Sequence, residues 1–271
     1  MLLKDKTAIV TGSGRGIGRA VAELFGQHGA RVVVNDLDEG PAQETAEALR
    51  AKGVETAVCV GSVTEADFAG RLMQTALDSF GSLDVIVNNA GYTWDGVIHK
   101  MTDEQFDAML DVHLKAPFRI VRAASDYLRA EAKKALESGD RPPCRKIINV
   151  SSTSGVAGNA GQINYAAGKM GVVGMTKTIA KEWGRFNVCC NAVAYGFIET
   201  RLTQAKEKGE ATADGIALGI PQAQREASAR FIPLGRAGTP EEAAGPVLFL
   251  ASPLSDYVTG AVVLVTGGMV M

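Results

Sequence analysis

The sequence predicts an α/β fold with one doubly wound parallel sheet of about seven strands and helices on both faces. Two observations predict it: short apolar strand patterns alternate with helical patterns throughout, and a glycine-rich turn joins the first strand to the first helix. Such alternation favours right-handed crossovers between parallel strands. The predicted strands are residues 7–11, 31–35, 56–60, 84–88, 146–150, 187–193 and 261–265. The clearest predicted helices are Pro41–Lys52, Thr64–Phe80, Asp103–Arg129 and Tyr165–Trp183.

Composition limits the class of protein. A chain of 271 residues with 46% hydrophobic content can bury a sizeable core, and we expect residues 1–271 to form a single domain. A formal net charge of −2 gives no reason to expect a nucleic-acid partner or an anionic membrane. No apolar run approaches the roughly 20 residues that span a bilayer, and charges near the N-terminus disfavour a signal peptide. We therefore expect a cytoplasmic protein with neither kind of partner.

The four cysteines show no C-x-x-C spacing typical of a metal site. Cys189 and Cys190 lie inside the predicted strand 187–193. In a reducing cytosol, buried thiols are the favoured interpretation, rather than a disulfide or metal ligands.

The glycine-rich turn follows the first predicted strand directly. It runs Thr11-Gly12-Ser13-Gly14-Arg15-Gly16-Ile17-Gly18, and a helical apolar pattern follows. Glycines at such a turn permit a tight bend and let the backbone approach a pyrophosphate at the helix N-terminus. The turn therefore predicts a dinucleotide site of the Rossmann type.

An acidic residue ends the second predicted strand. Asp36 comes eighteen residues after Gly18 (36 − 18). A carboxylate there can accept hydrogen bonds from the adenosine ribose and would repel a 2′-phosphate. The sequence therefore predicts NAD(H) in preference to NADP(H). Arg15 could oppose this preference, because a nearby arginine can hold a 2′-phosphate.

Three further residues indicate acid–base chemistry. Tyr165 and Lys169 are four residues apart and would share one helix face, and Ser152 follows the predicted strand 146–150. A lysine ammonium beside a phenol is expected to lower the tyrosine pKa from about 10. We predict Tyr165 as a general acid/base, with Ser152 hydrogen-bonded to the reacting oxygen.

These motifs resemble those of the short-chain dehydrogenase/reductase family, and the resemblance covers nearly the whole chain. The matching segments are Thr11–Gly18, Asn88–Gly91, the set Ser152, Tyr165 and Lys169, and the closing Thr259–Gly268. Such a resemblance implies hydride transfer between NAD(H) and a carbonyl or secondary alcohol. The implied cofactor contacts are Gly12, Arg15, Gly16, Ile17, Gly18, Asp36, Leu37, Ser62, Val63, Asn89, Ala90, Gly91, Tyr165, Lys169, Ile198 and Thr200.

Two groups of motifs suggest the substrate. Gly161–Tyr165 and Gly267–Met271 most resemble β-ketoacyl-ACP reductases. Val33–Leu37 and Val112–Leu114 are similar to the (3R)-hydroxyacyl-CoA dehydrogenase domain of peroxisomal multifunctional enzymes. Both relatives act on 3-oxoacyl or 3-hydroxyacyl thioesters, so we expect a substrate of this class. A sugar or polyol dehydrogenase is the alternative within the family, and a catalytically quiet NAD-binding scaffold is the alternative outside enzymes.

Several positions depart from the family pattern. His113 replaces the proton-relay asparagine; it either holds a relay water connected to Lys169 or satisfies a local backbone carbonyl. Tyr195 replaces a proline, which either loosens the segment over the nicotinamide or places a ring on the substrate. Thr266 replaces an aspartate, a minor change, and Ser62 stands where relatives often have an aspartate near the adenine.

Two segments are long for the family. Residues Glu131–Arg145 are predicted as a helix extension followed by an exposed loop. Residues Lys206–Phe231 lie where the family has its substrate lid, which we place around residues 201–232.

The family also implies an assembly. The apolar strand from Gly260 to Met271 would be an exposed sheet edge unless covered. Long helices at 103–129 and 165–183 carry apolar positions beyond one stripe, including Val172, Val173, Met175 and Ile179. We expect a homotetramer with 222 symmetry, or a dimer if the 131–145 insertion obstructs one interface.

Overall fold

The structure, a computed structural model, describes residues 1–212 and 215–270, with the side chain of Gln224 excepted. Its strands are β1 (Thr7–Val10), β2 (Arg31–Val34), β3 (Thr56–Val58), β4 (Val85–Asn88), β5 (Arg145–Ser152), β6 (Val188–Tyr195) and β7 (Val262–Val265). They form one parallel sheet in the order β3-β2-β1-β4-β5-β6-β7. Each predicted strand is confirmed, with its boundaries within two residues of the prediction.

Helices connect these strands on both faces of the sheet. They are α1 (Gly16–Gln27), α2 (Glu39–Arg50), α3 (Phe68–Phe80), α4 (Asp103–Leu110), α5 (Ala116–Glu137), α6 (Thr153–Ala157), α7 (Ile163–Trp183), α8 (Gln222–Arg230) and α9 (Pro240–Ala251). One apolar cluster lies between the sheet and helices α1, α2 and α9. A second lies between the sheet and helices α3 and α5. The predicted doubly wound fold is therefore confirmed.

Two of the predicted helices differ from their predicted spans by more than two residues. The helix predicted from Thr64 begins at Phe68, because the Thr64 backbone N–H donates to the Ser62 hydroxyl at 3.3 Å instead of starting a helix. The helix predicted as Asp103–Arg129 is interrupted by a π-helical turn at Asp111–Lys115. Such turns insert one extra residue and are frequent at functional sites.

The 131–145 segment takes the predicted form. Helix α5 continues to Glu137, and residues 138–144 form an irregular connection into β5. Arg145 differs, because it is the first residue of β5 and is buried. Its guanidinium Nε donates to the Leu83 carbonyl at 3.2 Å, which fixes the start of the strand.

The apolar surfaces predicted for assembly are partly different from expectation. Val172, Val173 and Ile179 are buried inside the chain rather than presented on its surface. The exposed apolar side chains of α5 and α7 include Phe118 and Met170. On the other side of the molecule, β7 is a sheet edge with Leu264 partly exposed, as predicted. Met271, at the end of that predicted surface, lies outside the described residues, as do residues 213 and 214 of the predicted lid.

Within the described ranges, the structure contains no helix with the length and apolar character needed to cross a bilayer.

Candidate active site

One cleft collects the residues predicted as functional. It has a volume of about 810 Å³ and lies at the carboxyl ends of the strands, where the sheet order reverses between β1 and β4. In open α/β sheets this switch point is where ligands bind. The predicted residues that line it are Gly12, Arg15, Gly16, Ile17, Gly18, Asp36, Leu37, Ser62, Val63, Asn89, Ala90, Gly91, His113, Ser152, Tyr165, Lys169, Ile198 and Thr200.

The glycine turn forms a tight cradle at the start of α1. A Cβ atom at Gly18 would lie 2.1 Å from the Gly12 carbonyl oxygen, and one at Gly12 would lie 2.8 Å from the Ala90 Cα. Arg15, which precedes α1, makes no side-chain cap hydrogen bond to the first turn. Uncapped N–H groups at a helix N-terminus suit an anionic group. The cradle therefore fits the pyrophosphate of a dinucleotide.

Side chains from neighbouring strands hold this cradle in place. The Asn89 amide donates to the carbonyls of Thr11 at 2.9 Å and Gly12 at 3.1 Å. Asn35 accepts from the Gly12 backbone N–H at 3.2 Å and donates to the Cys59 carbonyl at 2.9 Å. Asn89 thus supports the loop as well as facing the cleft. The sequence does not reveal this role of Asn35, which ends an apolar strand pattern.

Asp36 points at the glycine turn. Its Oδ2 accepts from the Gly14 backbone N–H at 3.0 Å, and its Oδ1 accepts from the Asp38 backbone N–H at 3.2 Å. The side chain of Arg15 does not pair with Asp36 but forms an ion pair with Asp38, with Nη1 and Oδ2 at 2.7 Å. Asp36 therefore contacts the glycine turn, and Arg15 pairs with Asp38 instead; the selection of the cofactor by Asp36 stays a prediction.

Ser62 has a local partner. Its hydroxyl lies 2.8 Å from the Thr64 hydroxyl, so it also shapes the turn before α3. Beside it Val63 is buried, whereas Leu37 is mostly exposed at the cleft rim. Across the cleft, the Thr203 hydroxyl bonds both the Ile198 carbonyl and the Thr200 backbone N–H. These two bonds fix the segment from Ile198 to Thr200, which is predicted to meet the nicotinamide.

Ser152, Tyr165 and Lys169 meet at the carboxyl end of β5 and the first turns of α7. Ser152 is the last residue of β5, and its hydroxyl accepts from the Ser154 backbone N–H at 3.1 Å. The Lys169 ammonium lies 5.6 Å from the Tyr165 ring centroid. It donates to the Val150 carbonyl at 2.7 Å, which anchors α7 to β5. The predicted set is thus brought together in space.

The expected direction of the Tyr165 pKa is wrong. Burial raises the pKa of Tyr165 to about 12, a hydrogen bond with Ser152 opposes that rise, and the Asp95 carboxylate adds to it. Burial also lowers the pKa of Lys169 to about 7. The prediction weighed the lysine charge but not the loss of water around both groups, which disfavours their charged forms. The buried phenol therefore keeps its proton at neutral pH.

His113 sits in the π-helical turn and is buried. Its Nε2 lies 2.7 Å from the Tyr92 carbonyl oxygen, while its buried Nδ1 has no hydrogen-bond partner among the described residues. Burial holds the pKa of His113 well below its usual range, and the Lys169 charge acts in the same direction. A neutral imidazole with Nε2 donating leaves Nδ1 as an acceptor.

The side chain of Tyr195 does not take up the predicted substrate contact, while the predicted loosening of its segment stays a prediction. Its side chain is buried in the core cluster, and its hydroxyl donates to the Ala243 carbonyl of α9 at 2.8 Å. The ring is thus held under α9 and not presented to a substrate. Thr266 bonds within its own turn, donating to the Val270 carbonyl at 3.0 Å.

A polar network at the cleft mouth was missed from the sequence. Gln162 donates to both carboxylate oxygens of Asp95 at 3.1 Å and accepts from the Ser154 hydroxyl at 2.8 Å. Asn164 donates to the Trp94 carbonyl at 3.0 Å. Both amides lie in the segment just before Tyr165, so polar residues there were the available signal. They tie the start of α7 to residues 92–96.

Comparison with known proteins decides the family. A family profile described as "Enoyl-(Acyl carrier protein) reductase" matches residues 12–270. The chain belongs to the short-chain dehydrogenase/reductase family. It is accordingly an NAD(P)-dependent oxidoreductase of the carbonyl/alcohol type.

The relatives are similar over their full length. The 3-oxoacyl-[acyl-carrier-protein] reductase of Thermotoga maritima is 39% identical, with all of both chains covered. The protein of the same name from Vibrio cholerae is also 39% identical over both whole chains. An uncharacterized oxidoreductase of Mycobacterium bovis is 40% identical over 98% of each chain.

Proposed function

We propose that the protein reduces a 3-oxoacyl thioester to the 3-hydroxyacyl thioester with NADH and also catalyses the reverse oxidation, as part of fatty acid metabolism. The observation that carries this proposal is the convergence of Ser152, Tyr165 and Lys169 in one cleft with the glycine cradle. The relatives named 3-oxoacyl-[acyl-carrier-protein] reductases support the substrate class.

Tyr165 is the general acid in this mechanism. Its pKa of about 12 keeps the phenol protonated at neutral pH, so the phenol can protonate the carbonyl oxygen as that oxygen gains negative charge. The Ser152 hydroxyl donates a second hydrogen bond to the same oxygen; a donor aimed at developing charge typically contributes about 3–4 kcal/mol. Bound NADH supplies the hydride for the carbonyl carbon.

Lys169 and His113 support the proton donor. The Lys169 Nζ donates one hydrogen bond to Val150 and has further donors for the nicotinamide ribose. The His113 Nδ1 faces no protein partner among the described residues, and as an acceptor it would hold a water that connects toward Lys169. In this role the imidazole keeps Nε2 on the Tyr92 carbonyl and stays neutral.

Asp36 favours NAD(H) over NADP(H). The carboxylate lies against Gly14 of the cradle, where an adenosine ribose would come, and a 2′-phosphate would meet its negative charge. Arg15, the residue that could offset this charge, pairs with Asp38.

Residues 201–232 form the substrate lid of a single domain. Arg201, Leu202, Ile216 and Ile220 of this segment line the same cleft as the catalytic residues. The apolar members suit an acyl chain, and within the described part of the lid Ala205 pairs with Ile220.

The protein is also proposed to be a cytoplasmic homotetramer. Free thiols at the described cysteines fit a reducing compartment. Partly exposed Phe249 and Leu264 on α9 and β7, with exposed Phe118 and Met170 on α5 and α7, offer apolar surface on two sides of the chain. Two such surfaces suit the two isologous contacts of a 222-symmetric tetramer.

The test measures the oxidation of NADH and of NADPH with each member of a panel of substrates. It compares acetoacetyl-CoA with crotonyl-CoA, simple ketones and sugars. We expect kcat/KM for acetoacetyl-CoA to exceed that for the simple ketones and sugars by at least about 10²-fold, since the lid binds the acyl thioester. Crotonyl-CoA, an enoyl thioester, should be inactive, because Ser152 and Tyr165 are arranged to serve a carbonyl oxygen.

Three outcomes would contradict the proposal. A sugar or polyol as the best substrate would assign the alternative dehydrogenase activity. Crotonyl-CoA as the best substrate would match the description of the family profile instead. Tight NADH binding without turnover of any substrate would indicate a scaffold.

A further inference from the structure

Two cysteines contact one another at the end of the sheet opposite the catalytic cleft. Cys144 immediately precedes β5, and Cys189 is the second residue of the adjacent strand β6. Their sulfur atoms are 3.6 Å apart. Ser152 marks the carboxyl end of β5, so this pair lies at the amino end of the same strand and belongs to no part of the proposed mechanism.

Charged groups surround the pair. The ammonium of Lys146, which is only 3% exposed, forms an ion pair with Asp256 Oδ1 at 2.8 Å and donates to the Ser255 hydroxyl at 3.1 Å. The Cys189 sulfur lies 3.7 Å from the Asp256 carbonyl oxygen. Cys144 also lies near the Asp256 carboxylate and acts to lower its pKa. Two thiols, a buried cation and a carboxylate thus form one cluster.

This environment gives the two thiols different pKa values. The hydrogen bond from Cys144 lowers the pKa of Cys189 to about 7, and the charges of Lys146 and Arg141 favour the thiolate as well. The same contact raises the pKa of Cys144, which keeps its proton. A thiolate beside a thiol is the arrangement that reacts with oxidants and then closes a disulfide.

The other two cysteines lack these features. Cys190, the neighbour of Cys189, is fully buried on the opposite face of β6, with its sulfur 3.6 Å from the Asn149 amide. Burial raises the pKa of Cys190 to about 12. Burial raises the pKa of Cys59 as well.

We propose that Cys144 and Cys189 form a redox-active pair that hydrogen peroxide converts into an intrachain disulfide. In the first step the Cys189 thiolate attacks one peroxide oxygen, the O–O bond breaks, and the released hydroxide takes up a proton to leave as water. Cys189 is then a sulfenic acid. In the second step Cys144 sulfur attacks Cys189 sulfur, and the sulfenic hydroxyl leaves with the Cys144 proton as water. Two thiols and one peroxide give one disulfide and two waters.

Closing the disulfide requires the Cys144 sulfur to move toward Cys189. A disulfide bond is about 2.05 Å long, so the sulfurs must approach by about 1.5 Å. Cys144 ends the irregular connection 138–144, which lies outside helix and strand and can adjust. The Pro142 carbonyl of this connection accepts from the Asn187 amide at 2.6 Å, so the connection is already held against the start of β6.

The experiment treats the purified full-length protein with a small excess of hydrogen peroxide. Remaining thiols are then alkylated in denaturant, and the protein is analysed by intact mass and peptide mapping. We expect two of the four thiols to be protected, a linked pair of peptides that contain Cys144 and Cys189, and full reversal by dithiothreitol. The closed loop constrains the unfolded chain, so Tm should rise by several degrees on oxidation.

Three variants make the result specific. Cys59→Ser is the matched control and should form the disulfide like the wild type. Cys189→Ser should form none. Cys144→Ser should also form none, but dimedone should trap a sulfenic acid at Cys189. Four alkylatable thiols after treatment, a link that involves Cys59 or Cys190, or a link only between chains would each overturn the proposal.

Discussion

The imidazole of His113 lies edge-on to the phenol ring of Tyr165, with ring centroids 4.8 Å apart and planes at 87°. The same imidazole lies against Gly91: a Cβ atom there would come within 2.2 Å of its Cε1. His113 therefore fills the space between a cofactor-side loop and the proton donor. An asparagine, the family's usual residue, would fill less of it.

This packing predicts coupling between positions 91 and 113. Gly91→Ala should destabilise the protein by about 2–3 kcal/mol, the usual scale of an overpacked core, because the new methyl overlaps the ring. The cost should fall by at least about 1 kcal/mol in a His113→Asn background. Urea unfolding of the wild type, the two single variants and the double variant measures both free-energy differences.

A helical glycine in open space serves as the control. Gly70 in α3 has no atom within 4 Å of an added Cβ, so Gly70→Ala should be neutral or stabilising. Equal costs for Gly91→Ala in both backgrounds would show that His113 does not occupy the space as described.

The buried ammonium of Lys169 predicts a pH-dependent stability. Burial lowers its pKa to about 7, whereas an unfolded lysine titrates near about 10.4. Between these values the unfolded chain binds the extra proton, so the folded state gains stability as pH rises, and the burial penalty is fully present below pH 7.

The variant Lys169→Met removes this penalty. Its stability relative to the wild type should be higher at pH 6 than at pH 9.5 by on the order of 3 kcal/mol. Urea midpoints at the two pH values measure the difference, with exposed Lys177→Met as the control. A difference that does not change with pH would show that Lys169 titrates normally.

Asp36 predicts the cofactor preference. We expect kcat/KM with NADH to exceed that with NADPH by at least about 10-fold, because a carboxylate repels the 2′-phosphate. Asp36→Asn keeps an acceptor for the Gly14 N–H but removes the charge. It should therefore lower the ratio of kcat/KM with NADH to kcat/KM with NADPH. Exposed Asp126→Asn should leave the ratio unchanged. A wild-type preference for NADPH would mean that Asp36 does not select the cofactor.

The exposed apolar surfaces predict the assembly. Light scattering should give about four times the 28.4 kDa of one chain. Phe249→Glu combined with Leu264→Glu should reduce this mass to that of a dimer, because charges would then lie on the α9 and β7 surface. A wild-type mass near 28.4 kDa would exclude the tetramer.

Local patterns in the sequence were sufficient for the fold and for the members of the cleft. Strands of apolar residues, the glycine turn and the four-residue spacing of Tyr165 and Lys169 are local features, and each has its expected place. Properties that depend on packing could not be predicted from these local patterns. The pKa of Tyr165 moves with burial, and the π-helical turn around His113 depends on the neighbouring elements.

The position of Tyr195 shows the same limit. Its replacement of a proline suggested a looser segment or a substrate contact, yet its hydroxyl bonds Ala243 in a helix 48 residues away (243 − 195). No pattern near Tyr195 indicates that partner. Contacts between Cys144 and Cys189 are likewise set by the pairing of β5 with β6.

The rate of Tyr165→Phe with acetoacetyl-CoA tests most directly whether this tyrosine is the proton donor. The substitution removes only the hydroxyl, so NADH affinity, measured by fluorescence titration, should stay nearly unchanged while kcat falls by at least about 10²-fold. The fully exposed Tyr257→Phe is the control and should match the wild type. Turnover by Tyr165→Phe within a few-fold of the wild type would contradict the assignment of Tyr165 as the general acid.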